Sequence, residues 1–271
     1  MRFLVIGAVL VVGLLLGACA ASSGPGSGIP ADGLVDVGGR DLYIECTGTG
    51  PVTLVMEAGL GMDTATWSNL VPLLGGARVC AYDRAGQGKS APAETPRTAD
   101  DLVNDLSRLL DAASIEPPLV LVGHSFGGLV ARLFAARHPE DVAGVVLIDP
   151  SPSTLVEDTC ELRDATRCAQ LTTMLTPDGN PERIDWTASV AELAGAGALP
   201  EVPLVVLAAT SQGAEISPEE AERWLARQQE LVDSVPTGRL IAVDSGHFIH
   251  LDRPEEVAEA IRSVLEAIRG R

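Results

Sequence analysis

The sequence predicts an α/β fold with a mostly parallel central sheet, and three observations carry that expectation. From about Gly33 onward, short apolar runs rich in β-branched residues recur, helix-period patterns alternate with them, and residues suited to starting a helix precede several of those patterns. Runs that stay apolar at consecutive positions need cover on both faces, so helices are expected on either side of the sheet. The chain is 46% hydrophobic and 21% charged, which fits a globular protein and excludes long disordered tracts. About 250 residues follow the first segment, enough for one sizeable core, and a single domain is expected.

The chain opens on a targeting pattern. Arg2 gives a positive start and residues 3–16 form an apolar run too short for a comfortable membrane span, so residues 1–18 read as a signal peptide outside the fold. The end of that run, Leu16-Gly17-Ala18-Cys19, resembles the lipobox of bacterial lipoproteins. That resemblance implies lipidation at Cys19 and an extracytoplasmic protein anchored to the cell membrane. Ala18-Cys19-Ala20 also satisfies the small-x-small pattern of ordinary secretory cleavage, which leaves a soluble secreted form as the alternative. Residues 19–32 are rich in Gly and Ser and suit a tether; about ten such residues reach on the order of 15 to 20 Å.

Residues 33–271 form the expected domain. Leu42 and Ile44 mark an early strand, and further strands are expected at 52–56, 77–82, 119–122, 145–148, 204–207 and 240–243. A helix opens at Thr98, whose side chain can cap it while Asp101 supplies the reciprocal carboxylate, and Leu102, Val103, Leu106, Leu109 and Leu110 give its buried stripe. Leu129, Val130, Leu133, Phe134 and Ala136 mark a second helix. Another begins around Ser217-Pro218 and carries Trp224, Leu225 and Leu231; the last starts at Pro254, whose fixed φ suits a first helical position.

Between about 151 and 200 the alternation stops. Two weak helical patterns, 166–175 and 188–193, together with Trp186, read as a lid inserted over the sheet edge that would line a substrate cavity. Four cysteines remain after Cys19, an even number in a chain that leaves the cytoplasm. Cys46 ends one strand pattern and Cys80 lies within another, while Cys160 and Cys168 flank one short polar stretch. We therefore expect disulfides Cys46–Cys80 and Cys160–Cys168, with free buried thiols as the alternative. A net charge of -18 makes nucleic acid a poor partner, and the scattered acidic residues read as solubility.

The chemistry centres on Gly123-His124-Ser125-Phe126-Gly127, which sits between the strand at 119–122 and a helical pattern. Glycines two positions before and after the serine allow a sharp bend that exposes its hydroxyl. The helix start beyond it aims free backbone N–H groups at whatever the serine attacks. A serine hydroxyl is a weak nucleophile at neutral pH, so it needs a base within hydrogen-bond reach and a third group to orient that base. Only four histidines exist. His138 precedes Pro139 at a helix end and reads as a surface residue, His124 is the variable position of the turn, and His250 packs or caps. No spacing among them matches a zinc or di-iron motif.

Three separated motifs give the chain a family resemblance: the Ser125 turn, Tyr82-Asp83-Arg84-Ala85-Gly86-Gln87-Gly88-Lys89-Ser90, and Ser245-Gly246-His247-Phe248 after the last strand. In this order they resemble the α/β-hydrolase superfamily, in its lipase-, esterase- and haloperoxidase-like branch, over about residues 33–268. The resemblance implies that Ser125 is the nucleophile and His247 the base. It also places the acid after the strand at 204–207, but Ala208-Ala209-Thr210-Ser211-Gln212-Gly213 holds no carboxylate. The family's other location is the end of the preceding strand, where Asp149 stands; it would face the same crevice and keep the chain order Ser, Asp, His. Glu215 is the alternative acid, and capping the loop into the lid is the alternative use of Asp149. Asp244 ends its own strand and would point elsewhere.

Two backbone donors are expected in the oxyanion hole: Phe126, directly after the nucleophile, and Leu60, in the glycine-rich turn Ala58-Gly59-Leu60-Gly61, where relatives usually carry His-Gly in place of Ala58-Gly59. Asp83 and Arg84 read as a turn-fixing pair behind the sheet, with substrate binding as the alternative; Trp67 and Trp186 read as pocket walls or as core. The implied activity is ester hydrolysis through an acyl-enzyme on a small-molecule acyl substrate, with no metal or organic cofactor. The same triad could serve an amide, thioester, lactone or carbon–carbon bond, and the fold could serve a weakly catalytic ligand-binding protein.

Overall fold

Apolar runs that need cover on both faces pair side by side in the interior. In the computed structural model, which describes residues 32–211 and 216–270, the described strands form one eight-stranded sheet. Its members are β1 (Gly33–Asp36), β2 (Asp41–Thr47), β3 (Thr53–Glu57), β4 (Arg78–Tyr82), β5 (Leu119–His124), β6 (Val142–Ile148), β7 (Leu204–Ala209) and β8 (Gly238–Val243). Their spatial order is β1-β2-β4-β3-β5-β6-β7-β8; β2 runs antiparallel to both neighbours and every other pairing is parallel. Each expected strand is present. β1 is an addition, because a four-residue edge strand with Leu34 58% exposed carries little apolar signal. The signal segment, Cys19 and Glu215 lie outside the described residues.

Helices cover the two faces. They are α1 (Ala99–Ala112), α2 (Phe126–Arg137), α3 (Leu155–Leu162), α4 (Ala165–Met174), α5 (Trp186–Gly195), α6 (Pro218–Asp233), α7 (Ile249–Asp252) and α8 (Pro254–Arg269). The two-residue period of a strand sorts its side chains between them: Leu119 and Leu121 of β5 join the core under α1 and α2, while Val120 and Val122 join the core under α8. Helix starts follow the sequence signals. The Thr98 N–H donates to the Asp101 carboxylate at 3.0 Å, and Ser217 and Glu220 exchange side-chain and backbone bonds at 2.7 and 3.2 Å ahead of Pro218.

Three helices, not two, fill the segment between β6 and β7. α3 carries little apolar signal because the single buried position among its eight residues is the acidic Asp158. α4 has no buried residue, so its apolar pattern was weak for a physical reason. Cys160 in α3 is bonded to Cys168 in α4, and Cys46 in β2 is bonded to Cys80, its direct cross-strand partner in β4.

A crosslink stabilises chiefly by restricting the unfolded chain, more for a longer loop. With sequence separations of 34 and 8, replacing Cys46 and Cys80 by Ala should lower unfolding free energy by about 4 kcal/mol, and replacing Cys160 and Cys168 by about 2.5 kcal/mol. Urea titrations under oxidising conditions measure both.

Candidate active site

The chain leaves β3 for β4 on one side and then returns past β3 to β5 on the other, so a crevice opens at the carboxyl ends of β3 and β5. The Ser125 turn occupies that point. Ser125 has φ +53° and ψ -121°, a conformation that a residue with a side chain adopts only when its surroundings impose it. They do so through close approach: a Cβ on Gly127 would lie 2.3 Å from the Glu57 carbonyl oxygen and 2.4 Å from that of Ala58. The first turn of α2 is thereby pressed against the end of β3, and the Ser125 side chain is left facing the crevice.

His247 and Asp149 meet it there. The Ser125 Oγ lies 2.9 Å from His247 Nε2, and His247 Nδ1 lies 2.6 Å from Asp149 Oδ2. A carboxylate oxygen accepts, so Nδ1 carries the proton and Nε2 is left to accept from the serine hydroxyl. Asp149 is fully buried, and its Oδ1 accepts from the Ala209 N–H at 2.9 Å and the Trp224 indole N–H at 2.8 Å. Those bonds fix the carboxylate's rotation, and they come from the last residue of β7 and from α6. Asp244 bonds to Ser211 Oγ at 3.0 Å and stays exposed.

The other histidines are partly a surprise. His124 and His250 are buried and cluster with His247 as tilted rings, with ring centroids 4.3 Å apart for His124 and His250 and 4.8 Å apart for His124 and His247. His124 Nε2 lies 3.0 Å from the His247 carbonyl, which can only accept, so His124 donates and pins the loop that carries His247. His250 sits 2.7 Å from the Thr66 hydroxyl and against Trp67. Burial, followed by the neighbouring histidines, holds the His124 pKa well below its ordinary value; burial and then His247 push that of His250 down to about 4. Both therefore stay neutral beside His247. A histidine closing an otherwise apolar strand was the signal available for His124. His138 is half-buried and stacks on Phe134.

Asp83 and Arg84 part company. Asp83 does fix its turn, accepting from Thr64 N–H and Lys89 N–H at 2.8 Å each. Arg84 is not behind the sheet: it lies buried under the Ala58-Gly59-Leu60-Gly61 turn, bonded to Glu57 and to Glu182 of the inserted segment. Glu57 and Glu182 had no place in the sequence reading, although a carboxylate directly after the apolar run at 52–56 was a visible anomaly.

A cavity of about 850 Å³ opens above Ser125. Gly59, Leu60, Met62 and Phe126 line its floor, and Leu155, Leu171, Leu175 and Trp186 of the insertion line its walls. Trp67 instead belongs to the core under α8. α6 closes the far side through Asp158, which accepts from Arg223 and Arg227 at 2.9 Å. Among the described residues no cluster of three or more His, Cys, Asp or Glu side chains could hold a metal ion.

Residues 52–189 match the family model described as alpha/beta hydrolase fold. The chain is 33% identical over 226 residues to the uncharacterized protein YqjL of Bacillus subtilis, spanning 80% of this chain and 85% of that one. It is 38% identical over 112 residues to the lipase LipV of Mycobacterium tuberculosis, covering 41% of this chain and 42% of the lipase. Among solved structures, the enol-lactonase from Burkholderia xenovorans LB400 superposes with a TM-score of 0.64 at 21% identity, over 86% of this chain and 99% of the lactonase, a likeness of fold.

The neutral histidines make stability depend on pH. Folded His250 stays unprotonated down to about pH 4, whereas an unfolded imidazole takes its proton near 6.5, so between those values the unfolded chain binds more protons. This contribution is complete above pH 6.5 and is lost as pH falls toward 4, by ~3 kcal/mol at most. In urea titrations from pH 7 to 4, His250→Gln should show a shallower decline than wild type.

Proposed function

The chain belongs to the α/β-hydrolase family, and from that premise we propose that it is a serine hydrolase that cleaves carboxylic esters through an acyl-enzyme. The observation that carries the reading is the continuous line from Ser125 Oγ through His247 to Asp149, with both bonds at 2.9 Å or shorter. Ser125 Oγ attacks the ester carbonyl carbon while its proton passes to His247 Nε2. Asp149 holds the imidazole in the productive tautomer and stabilises the imidazolium that forms. The tetrahedral oxyanion accepts from the N–H groups of Phe126, at the open start of α2, and Leu60. Collapse expels the alcohol, which takes the proton from His247, and leaves an ester on Ser125. Water, deprotonated by the same imidazole, then releases the acid and restores the serine.

The apolar floor and walls of the cavity favour an ester with an apolar acyl or alcohol group. The lipase relative and the lactonase neighbour carry names of ester-cleaving enzymes, in agreement with this reading. Two disulfides suit an oxidising compartment, and we assign the protein outside the cytoplasm, tethered through a lipid on Cys19. No helix among the described residues is long and apolar enough to cross a membrane.

Ser125→Ala should abolish turnover of a panel of p-nitrophenyl esters and prevent labelling by a fluorophosphonate; wild type that neither labels nor turns over esters would overturn the assignment. Asp149→Asn should lower kcat about ten-thousand-fold. Near-normal rates in that variant, with a large loss in Glu215→Gln, would move the acid to Glu215. Metabolic labelling with a tritiated fatty acid should mark the wild type and not Cys19→Ser.

A further inference from the structure

Arg84 has five N–H donors, and all five are engaged within the protein. Nη1 donates to Glu57 Oε1 and to the Ala58 carbonyl, Nη2 to the Gly59 carbonyl and to Glu182 Oε1, each at 2.6 Å, and Nε donates to Glu182 Oε2 at 2.7 Å. The two carbonyls matter most. In a trans peptide the C=O and the following N–H point in opposite directions. The Ala58 carbonyl shares its peptide with the Gly59 N–H, and the Gly59 carbonyl shares its peptide with the Leu60 N–H. Drawing both carbonyls down onto a buried guanidinium therefore turns both amides away from it. Gly59 and Leu60 line the cavity with Ser125, and Arg84 does not.

Glu182 connects this grip to the inserted helices. It lies between α4 and α5, and besides its bonds to Arg84 its Oε1 accepts from the Gly61 N–H at 2.6 Å. Its own segment is fixed by Asn180, whose amide donates to the Thr176 and Ile184 carbonyls at 2.7 and 2.9 Å and whose Oδ1 accepts from the Ile184 N–H at 2.9 Å. Pro181 lies so close that a Cβ on Gly61 would meet it at 2.7 Å. The guanidinium also sits over the Phe126 ring, 5.9 Å from its centroid, behind the second expected donor.

We propose that Arg84 is the positioning residue of the oxyanion loop, orienting the Leu60 N–H toward the reacting carbonyl oxygen, and that Glu182 makes this orientation depend on the cap. The cap then contributes to transition-state stabilisation as well as enclosing the cavity. This rests on the serine-hydrolase reading above. It requires that loss of the grip fall on the transition state and spare substrate binding, because the oxyanion exists only after attack.

The test compares wild type with Arg84→Lys, Glu182→Gln and Glu182→Leu, each first shown to be folded by near-UV circular dichroism. The readouts are kcat and KM on a p-nitrophenyl ester and the affinity of a trifluoromethyl ketone, which forms a tetrahedral adduct on the serine. A lysine ammonium cannot hold two carbonyls and two carboxylates in one plane, so kcat should fall about 100-fold with KM changed less than about threefold. Ketone affinity should fall with it. Glu182→Gln keeps an acceptor for the Gly61 N–H and should lose about tenfold, less than Glu182→Leu at about 100-fold. Loss confined to KM, or kcat within about threefold of wild type in the Lys and Leu variants, would overturn the proposal; if the Lys variant does not fold, the two Glu182 variants decide it by the same criteria. Absence of ester turnover in wild type would instead overturn the underlying hydrolase reading, and it is seen before any variant is made.

Discussion

A guanidinium sealed from water must find every hydrogen bond inside the protein, and Arg84 finds them where β3, the turn after β4 and the cap converge. Burial alone would lower its pKa, but the carboxylates of Glu182 and Glu57 raise it above the usual arginine value, so it remains charged. Burial in turn pushes the Glu57 carboxyl up, an effect the Arg84 charge and the Tyr82 hydroxyl oppose. Removing one member of such a group strands the others without solvent, which costs about 3 to 5 kcal/mol. The geometry is therefore rigid. The crevice floor, the cap and the start of α2 are held in one arrangement because no partner can leave.

A second constraint acts on the other side of Ser125. Three imidazoles packed together would repel one another if all were charged, and burial keeps two of them neutral. His124 and His250 are held neutral, while His247 sits against the Asp149 carboxylate. The His124 bond to the His247 backbone then holds the loop that carries His247. In the mechanism proposed above, positioning and acid–base chemistry are thus divided among residues of one type by their surroundings.

The architecture was legible because its signals are local. Continuous apolar runs mark strands covered on both faces, and Thr98, Ser217-Pro218 and Pro254 each announce a helix start within three residues of sequence. α3 and α4 were faint because α3 fully buries only the acidic Asp158 and α4 fully buries no residue, which leaves little periodic apolar pattern. Arg84 was misjudged because the local glycine and serine pattern describes the turn that Asp83 fixes, while its own partners lie 27 and 98 positions away. His124 read as a variable position because its partner, the backbone of His247, is separated by 123 residues.

By itself, the sequence determined the order of the buried strands and of the helices that carry clear start signals, the turn that presents Ser125, and His247 and Asp149 as residues standing just beyond β8 and β6. Those follow from short-range sterics, backbone hydrogen bonding and apolar periodicity, which act over a few neighbouring residues. Only the tertiary structure decided that Asp149 turns toward His247, that the loop after β3 is gripped from beneath, and that the cap takes part in that grip. The reason is that these depend on which side chains meet when distant strands become neighbours, and sequence separation carries no record of that meeting.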